Sequence, residues 1–312
     1  MNDFRKIMFV SISLVLFLFS CGPAKVYGPP LQPGKQFFYS KTEFINYKAM
    51  DGQGPVLVFL HGFAASGTNW DDVKPYFEGK RACFFTDLKG FGFSSKPKDG
   101  DYSLETQAKI IVDFIHALNI EELILIGHSY GGAVAVYTQR ELWENGCAGV
   151  IKKMVLIDSP CRGDEAPMFV NVLKSPVIGP LALGLCPAEF STKTVLKQAF
   201  FNDDLITDTI FHRYYFFWGE ANYSYALRKL AKQCFPEKPR DADNLFACLN
   251  MPTLIIWGGK DEIIDIEQGY ELRDSLKNAR MEIISDCGHV PQEEKPYETF
   301  VLINDFINER DP

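Results

Sequence analysis

The chain has 312 residues, of which 46% are hydrophobic and 23% charged, and its formal net charge is −8. This composition is typical of a folded globular protein and excludes the collagen-like, disordered and small disulfide-rich classes. No block of lysine or arginine supplies the basic footprint of a nucleic-acid-binding protein, so the sequence argues against that class as well.

The first twenty residues are unlike the rest of the chain. Arg5 and Lys6 precede a thirteen-residue apolar run, residues 7–19, which only Ser11 and Ser13 interrupt. The run is too short to span a bilayer comfortably, but its length and basic start are typical of an export signal. A buried N-terminal helix is the alternative, although such a helix should show a polar face. We therefore predict a signal peptide over residues 1–20.

Cys21 follows this run directly, within the string LFSCG. The string resembles a bacterial lipoprotein signal, in which the cysteine becomes the lipidated first residue of the mature chain. The resemblance implies an exported protein anchored to the bacterial cell envelope through Cys21, with an uncleaved N-terminal anchor or secretion as the alternatives. Residues 21–35 predict an extended tether, because glycine and proline supply seven of the thirteen residues from Gly22 to Gly34.

The chain holds eight cysteines, so seven remain if Cys21 is lipidated. Export permits disulfides, and four cysteines of the middle region are candidates for pairing: Cys161, Cys186, Cys234 and Cys248. Neither a CxxC pair nor an HExxH string is present, so the sequence predicts no metal site and no cofactor.

From residue 36 onward, short apolar runs alternate with amphipathic stretches. We predict a strand pair at 36–40 and 42–50, followed by six strands at 56–60, 83–86, 123–126, 153–157, 253–257 and 281–284. Continuous apolar runs of this length indicate strands buried on both faces of a sheet. Helical spacing of apolar residues predicts helices over 104–118 and 297–307. The alternation predicts an α/β fold, with a mostly parallel sheet and helices on both faces.

No comparable strand run occurs between Asp158 and Met251. We therefore predict an inserted subdomain of irregular helices in this region, placed over the end of the sheet. It holds a run, residues 211–218, in which six of eight side chains are aromatic. This aromatic run predicts either the packed interior of the inserted subdomain or the wall of an apolar substrate pocket.

The chemistry is concentrated in a Gly-x-Ser-x-Gly sequence, Gly127 to Gly131, directly after the predicted strand 123–126. A turn of this kind between strand and helix requires glycine on either side, and it holds the serine hydroxyl clear of the backbone at the end of the sheet. Ser129 is therefore the predicted nucleophile. The N–H of Tyr130, at the start of the helix, is predicted to point toward a developing oxyanion.

A serine nucleophile needs a base, and the chain has only five histidines. His289 lies in a glycine-containing loop after the last predicted strand, at the edge where the carboxyl ends of parallel strands meet. We therefore predict His289 as the base. Of the other four histidines, His128 neighbours the serine and His116 lies on a predicted helix. His212 lies in the inserted subdomain, and His61 follows the first parallel strand.

The base needs a carboxylate to orient it. Asp261 is the first acid after the predicted strand 253–257, and Asp158, at the end of the preceding strand, is the rival. We favour Asp261 because the chain order serine, aspartate, histidine is then the one that accompanies this type of turn. We expect Glu262 and Asp265 to be solvated loop charges.

Together these features resemble the α/β-hydrolase fold family over roughly residues 36–312. The resemblance rests on five segments: His61-Gly62-Phe63, DLKGFGFS at 87–94, the Ser129 turn, Gly259-Lys260-Asp261 and Gly288-His289. It implies that Phe63 supplies a second oxyanion N–H and that 87–94 is structural. It also implies a helical cap at 161–249, inserted into a core formed by residues 36–160 and 250–312. Lys89 stands where arginine is frequent in the family. A serine nucleophile argues against the family's epoxide hydrolases and dehalogenases, which use aspartate at this turn.

We therefore predict a serine hydrolase that cleaves a carboxylic ester of an apolar small molecule or lipid through an acyl-enzyme. Because several reactions share these groups, carbon–carbon bond hydrolysis and cofactor-free peroxidase chemistry are alternatives. A non-catalytic binding protein on the same scaffold is a further alternative, which the presence of all three residues disfavours. The expected partners are the ester and, through the lipid anchor, a membrane. The oligomeric state and the acyl and alcohol parts of the substrate are left open.

Overall fold

The structure is a computed structural model that describes residues 27–161, 166–234 and 245–309. The predicted signal peptide, Cys21 and the first part of the predicted tether lie outside these residues. The strands are β1 (Lys35–Phe38), β2 (Phe44–Met50), β3 (Val56–Leu60), β4 (Cys83–Thr86), β5 (Leu123–His128), β6 (Ile151–Ile157), β7 (Thr253–Gly258) and β8 (Ala279–Ile284). They form an eight-stranded sheet in the order β1-β2-β4-β3-β5-β6-β7-β8.

The sheet is antiparallel at one edge, where β1 and β2 lie, and parallel from β4 to β8. Successive residues of β3 alternate between two cores: Val58 and Leu60 pack on one face, while Leu57 and Phe59 pack on the other. This two-sided burial explains why the central strands are continuous apolar runs. The predicted α/β fold with a mostly parallel sheet is confirmed.

The helices of the described residues are α1 (Lys74–Phe77), α2 (Leu104–Ala117), α3 (Tyr130–Glu144), α4 (Met168–Lys174), α5 (Ile178–Leu185), α6 (Ala188–Ala199), α7 (Asp208–Tyr215), α8 (Tyr223–Cys234), α9 (Ile266–Ser275), α10 (Pro291–Glu294) and α11 (Pro296–Asn308). The predicted helices 104–118 and 297–307 correspond to α2 and α11. Ser103 caps α2 by accepting a hydrogen bond from the Thr106 N–H at 3.2 Å. Within the described residues no single helix is long and apolar enough to cross a bilayer. Helices α4 and α5 meet that criterion only as a pair, bent by 106°.

Helices α4 to α8 lie between β6 and β7, and the described part of this segment, here called the insert, contains no strand. The insert contacts loops that follow the parallel strands. The ring centre of Phe169 lies 5.9 Å from that of Phe63, after β3. The ring centre of Phe217 lies 5.1 Å from that of Phe93, after β4. These contacts place the insert at the carboxyl edge of the sheet.

The described part of the predicted tether packs on the insert. The ring centre of Tyr27 lies 4.4 Å from that of Phe211 and 5.6 Å from that of Tyr215. His212 Nε2 lies 2.9 Å from the Pro29 carbonyl oxygen, at hydrogen-bond distance. Residues 27–29 of the predicted tether therefore contact the insert. Tyr27 contributes an aromatic ring that the glycine and proline content of the segment does not reveal.

Three of the four cysteines proposed for disulfides form no disulfide with a described residue. Cys186, Cys234 and Cys248, three of the four candidates, are free thiols in the structure. Burial raises the pKa of the Cys234 thiol to about 12, which keeps it protonated and unreactive. The fourth candidate, Cys161, lies with its Sγ atom 3.9 Å from the side-chain oxygen of Gln268.

Candidate active site

Ser129 lies in the turn between β5 and α3. Its φ of 50° and ψ of −120° form a backbone conformation that side-chain-bearing residues rarely adopt. The flanking glycines permit this turn, because a methyl group at Gly127 would lie 2.5 Å from the Gly131 carbonyl oxygen and one at Gly131 would overlap the Leu60 carbonyl oxygen. The turn therefore holds the Ser129 side chain at the carboxyl end of the sheet, as the glycine pattern predicts.

The imidazole of His289, in the loop after β8, reaches this serine, and its Nε2 lies 2.9 Å from Ser129 Oγ. The backbone of His289 is held on two sides. Its N–H donates to the Ala199 carbonyl oxygen of the insert at 2.7 Å, and its own carbonyl oxygen lies 2.7 Å from His128 Nε2. Burial lowers the pKa of His128 well below its usual range. His128 is thus a neutral donor that fixes the loop.

Asp261 is the carboxylate that orients His289. The Nδ1 atom of His289 donates to Asp261 Oδ2 at 2.7 Å. The other oxygen of Asp261 accepts the backbone N–H groups of Ile263 and Ile264 at 2.7 and 3.0 Å. A carboxylate held by three donors is a fixed acceptor, so it sets both the orientation and the tautomer of the imidazole.

Asp158, the rival acid, lies fully buried at the end of β6. Its Oδ1 accepts the Gly258 N–H at 2.9 Å. Burial, followed by the neighbouring Asp261 carboxylate, raises the pKa of Asp158 well above its usual range. A protonated Asp158 is a donor beside Asp261 rather than a second charged partner for the histidine. Of the two acids, Asp261 is therefore the one that makes the hydrogen bond to His289.

The same three groups, Asp158, Asp261 and His289, have ligand atoms within 4.8 Å of one another, as a metal site would require. However, His289 Nδ1 already donates to Asp261 at 2.7 Å. Burial raises the pKa of Asp158 and favours its neutral form, and a protonated carboxyl is a poor metal ligand. The arrangement is explained as a hydrogen-bonded set that ends at Ser129.

The two predicted oxyanion residues, Phe63 and Tyr130, lie in segments next to this serine. Phe63 follows Gly62 in the loop after β3, and Tyr130 is the first residue of α3. A methyl group at Gly62 would lie 3.4 Å from Ser129 Cβ, which shows how closely this loop approaches the serine. Neither the Phe63 nor the Tyr130 N–H donates a backbone hydrogen bond to another described residue. Both are therefore available to an oxyanion.

The loop after β4 supports this edge of the sheet. Asp87 accepts backbone hydrogen bonds from Gly67 at 2.6 Å and Phe93 at 2.8 Å. Lys89 is buried, and its Nζ lies 2.5 Å from Asp99 Oδ2. Both side chains hold the loop in shape, which agrees with the structural role expected of residues 87–94.

Glu262 and Asp265 are exposed, as expected for loop charges. Asp265 has an additional role that the sequence analysis did not assign. Its carboxylate accepts the Glu267 N–H at 3.0 Å and so caps the start of α9.

The aromatic run 211–218 forms contacts within the insert and with neighbouring loops. The rings of Phe211 and Tyr215 stack 5.3 Å apart against Tyr27, and Phe217 packs on Phe93. Of the two alternatives, these contacts support the packed interior of the insert.

Phe169 of α4 was not among the predicted site residues, and it brings the insert to the predicted oxyanion position. The Phe63 ring centre lies 5.9 Å from that of Phe169, 5.4 Å from that of Phe91 and 6.3 Å from that of Tyr130. We call these four residues the site aromatics. No motif marks Phe169, because only the fold brings α4 over the Phe63 loop.

The sequence analysis also missed a buried polar network that joins the insert to the core. The Glu293 carboxylate, on α10, accepts hydrogen bonds from Asn69 at 2.6 Å, from Arg213 at 3.2 Å and from the Tyr214 hydroxyl. Arg213 also pairs with Asp72 at 2.5 Å. Burial raises the pKa of Glu293 to about 7, while Arg213 and Tyr214 oppose that rise.

The adjacent Glu294 ties the histidine loop to the insert. Its carboxylate accepts the Gly288 N–H at 2.7 Å, and it also accepts the N–H groups of Phe201 at 3.2 Å and Asn202 at 2.8 Å. The position of His289 therefore depends partly on the insert.

This chain is similar to known proteins over most of its length. Residues 57–301 match the model of the "Alpha/beta hydrolase family". A 2-hydroxymuconate semialdehyde hydrolase from Pseudomonas sp. (strain CF600) is 26% identical over 274 residues, which cover 83% of this chain and 89% of that protein. Lipase 3 of Moraxella sp. (strain TA144) is 25% identical over 301 residues, covering 90% and 83%.

The matching relatives also include epoxide hydrolase 1 of Caenorhabditis elegans, 26% identical over 277 residues, which cover 81% of this chain and 65% of that protein. Among solved structures, a meta-cleavage product hydrolase from Pseudomonas fluorescens IP01 superposes with a TM-score of 0.73. It is 21% identical, and the match covers 89% of this chain and 99% of that one. At this identity the structural likeness establishes the fold, while the relatives differ in the bond they cleave.

Proposed function

Because the chain belongs to the alpha/beta hydrolase family, we propose that it is a serine hydrolase of carboxylic esters. In this proposal Ser129 is the nucleophile, His289 the general base and Asp261 the acid that orients it. The observation that carries the proposal is the continuous hydrogen-bonded path, 2.9 Å from Ser129 Oγ to His289 Nε2 and 2.7 Å from His289 Nδ1 to Asp261 Oδ2.

The proposed reaction begins when Ser129 Oγ attacks the ester carbonyl and its proton passes to His289 Nε2. The carbonyl oxygen becomes an oxyanion, which the N–H groups of Phe63 and Tyr130 stabilise. His289 then gives the proton to the leaving alcohol oxygen, and an acyl-enzyme remains. Water, deprotonated by His289, attacks the acyl carbon and releases the acid and Ser129. Throughout, Asp261 stabilises the protonated imidazole.

The serine favours this chemistry over that of some relatives. The family's epoxide hydrolases and dehalogenases use aspartate at this turn, where this chain has Ser129. Carbon–carbon bond hydrolysis is the second candidate, because it can use the same three groups and because the Pseudomonas relative is a 2-hydroxymuconate semialdehyde hydrolase.

Parallel assays with an ester and with a carbon–carbon bond substrate separate the two candidate reactions. The purified protein is assayed with 4-nitrophenyl acetate and butyrate and, in parallel, with 2-hydroxymuconate semialdehyde. We expect kcat/KM for the better ester to exceed that for the semialdehyde. The reverse order would transfer the assignment to carbon–carbon bond hydrolysis at the same site.

We also propose that the protein is exported and held at the bacterial cell envelope by a lipid on Cys21, with residues 1–20 removed. The support is the basic start, the apolar run and the cysteine directly after it. The test is Cys21→Ala, followed by detergent partitioning and by the intact mass of the purified chain. We expect wild type to begin at a lipid-modified Cys21 and the variant to lose that modification. Retention of Met1 in both proteins, with unchanged partitioning, would contradict the proposal.

A further inference from the structure

Helix α5 is apolar on every side and yet mostly exposed. Its sequence, IGPLALGL, contains no polar side chain, and Gly179 is its only buried residue. Leu183 packs partly buried against the main core, but Ile178 is 58% exposed and Leu185 is 68% exposed. A helix that is apolar all round is normally buried in a protein core or in a membrane. Packing within the described chain therefore accounts for only part of the apolar character of α5.

The exposed apolar side chains continue on both sides of α5. We define the apolar surface of the insert by six exposed residues: Met168, Val177, Ile178, Leu181, Leu185 and Phe190. From residue 166 to residue 186, Lys174 is the only charged residue. Isolated exposed apolar residues are ordinary, but a set concentrated in adjacent helices with so little charge marks an interaction site.

The N-terminal segment joins the described structure beside this surface. Tyr27, where the description begins, packs on the Phe211 ring, and its hydroxyl lies by the Glu189 carboxylate. Glu189 is in the first turn of α6, next to Phe190 and four residues after Leu185. Cys21 is six residues before Tyr27, so it lies at most ~20 Å away along an extended chain. A membrane attachment in the N-terminal segment would therefore hold this side of the insert at the bilayer.

We propose that the apolar surface of the insert docks into the interfacial layer of the bilayer to which the N-terminal segment attaches the protein, and that the ester substrate is a lipid taken from that bilayer. The second half of this inference rests on the proposed function. An apolar segment that lies in the plane of the interface, rather than crossing it, is consistent with the 106° bend between α4 and α5.

Helix α4 also contacts the proposed active site, which connects docking with the reaction. The Phe169 ring in α4 lies 5.9 Å from Phe63, whose N–H is the proposed oxyanion donor. Met168, the preceding residue, lines a cavity of about 740 Å³ together with Asp261 and Ile263. One short helix thus presents an exposed apolar side chain to the surface and an aromatic ring to the site.

Hydrogen–deuterium exchange on the full chain tests the docking. The protein is bound to phosphatidylcholine vesicles, which have no net charge and are chosen because the six residues of the apolar surface are uncharged. Exchange is read in peptides covering α5 and Phe190. We expect these amides to exchange about tenfold or more slowly on vesicles, with little dependence on salt. A peptide containing Trp143, which is 54% exposed on α3, should be unaffected.

A paired variant makes the readout specific. In Leu181→Asp/Leu185→Asp the N-terminal segment should still hold the protein on vesicles, but the slowed exchange of α5 should be lost. The matched control Trp143→Asp should keep it. Wild type that sediments with vesicles while α5 exchanges at its free rate would overturn the proposal. Slowed exchange of α5 in the absence of vesicles would also overturn the proposal. If that slowing grows with protein concentration, the surface binds a second copy of the chain. If it does not, the surface binds residues 7–19.

Turnover tests the substrate half separately. The double variant should hydrolyse a long-chain ester embedded in vesicles about tenfold or more slowly than wild type, since it loses two leucines that dock into the bilayer in the proposal. It should hydrolyse a short soluble ester within about twofold of wild type. Equal loss on both esters would contradict delivery from the bilayer. If wild type cleaves neither ester, the proposed function fails, whereas the exchange experiment still decides the docking.

Discussion

The insert contacts the loops at the carboxyl edge of the sheet, and different kinds of interaction hold the two regions in place. At the sheet edge, backbone hydrogen bonds and close backbone approaches position the reacting groups, as in the Ser129 N–H to Ile157 carbonyl contact of 2.8 Å. In the insert, side chains do this work, through the Arg213 pairs and the Tyr27 packing. Substitutions at the edge should therefore change the chemistry, while substitutions in the insert should change stability and substrate preference.

The largest effect is expected at the edge itself. Ser129→Ala or His289→Ala should lower kcat/KM for an activated ester by about 10⁴-fold or more, because each removes a group that forms or breaks bonds. Ester hydrolysis is measured by initial rates, and folding by circular dichroism. The matched control is Ser159→Ala, a buried serine whose Oγ lies 3.5 Å from the Ser129 carbonyl oxygen. Wild-type rates in Ser129→Ala would end the serine-hydrolase account.

The two buried aspartates provide the next comparison. Asp261→Asn should lower kcat/KM by about 10³-fold, because the histidine loses its carboxylate acceptor and its preferred tautomer. Asp158→Asn should cost less than about tenfold, since a neutral amide can replace a neutral carboxyl and still accept the Gly258 N–H, now at 2.9 Å. Rates of the two variants are compared at the same pH. A larger loss in Asp158→Asn would show that the wrong carboxylate has been assigned.

A smaller effect, on stability, is expected where the insert joins the core. Arg213→Met leaves the buried Glu293 carboxyl without its cation, so the free energy of unfolding should fall by about 2–4 kcal/mol near pH 8. With Arg213 present, burial already raises the pKa of Glu293 to about 7, and without Arg213 it rises further. A carboxyl whose pKa is raised in the folded state contributes stability that is present at low pH and lost as the pH rises through that pKa. The loss of unfolding free energy in Arg213→Met should therefore be smaller at pH 5 than at pH 8.

Urea denaturation of wild type and variant at both pH values checks this prediction. The control is Arg213→Met/Glu293→Gln, in which no carboxyl titrates at position 293, so its deficit should vary less with pH. A deficit in Arg213→Met that is independent of pH would show that Glu293 does not respond to the arginine.

The smallest effect concerns substrate preference. If the site aromatics line an apolar pocket, kcat/KM should rise by up to about fourfold per added acyl methylene over the first few carbons, since each buried methylene contributes about 0.8 kcal/mol. Phe169→Ala should flatten this rise from acetate to hexanoate esters. Phe216→Ala, within the aromatic run, serves as the control. If Phe216→Ala flattens the profile and Phe169→Ala does not, the run 211–218 forms the pocket.

The difference between the sheet edge and the insert also explains what could be predicted from the sequence. The central strands were predictable because two-sided burial demands unbroken apolar runs, and the Ser129 turn because its backbone tolerates only glycine at Gly127 and Gly131. The acid was narrowed to two residues, Asp158 and Asp261, by their positions at the ends of neighbouring strands. The hydrogen bond to His289 distinguishes them in the structure.

The insert was less predictable, since its contacts join residues that are distant in the chain. Arg213 meets Asp72 across 141 positions, and Tyr27 meets Phe211 through ring packing that no local pattern announces. Phe169 likewise carries no motif. An aromatic run marks apolar surroundings, but whether these surround a ligand or the protein's own side chains depends on tertiary packing.

Labelling with a fluorophosphonate shows whether Ser129 forms the covalent intermediate. The purified full chain is incubated with the probe, digested and examined by mass spectrometry. We expect one adduct, on the peptide that contains Ser129, which is absent in Ser129→Ala and forms far more slowly in His289→Ala. An adduct on a different residue, or ester turnover by a protein that the probe neither labels nor inhibits, would contradict this role of Ser129.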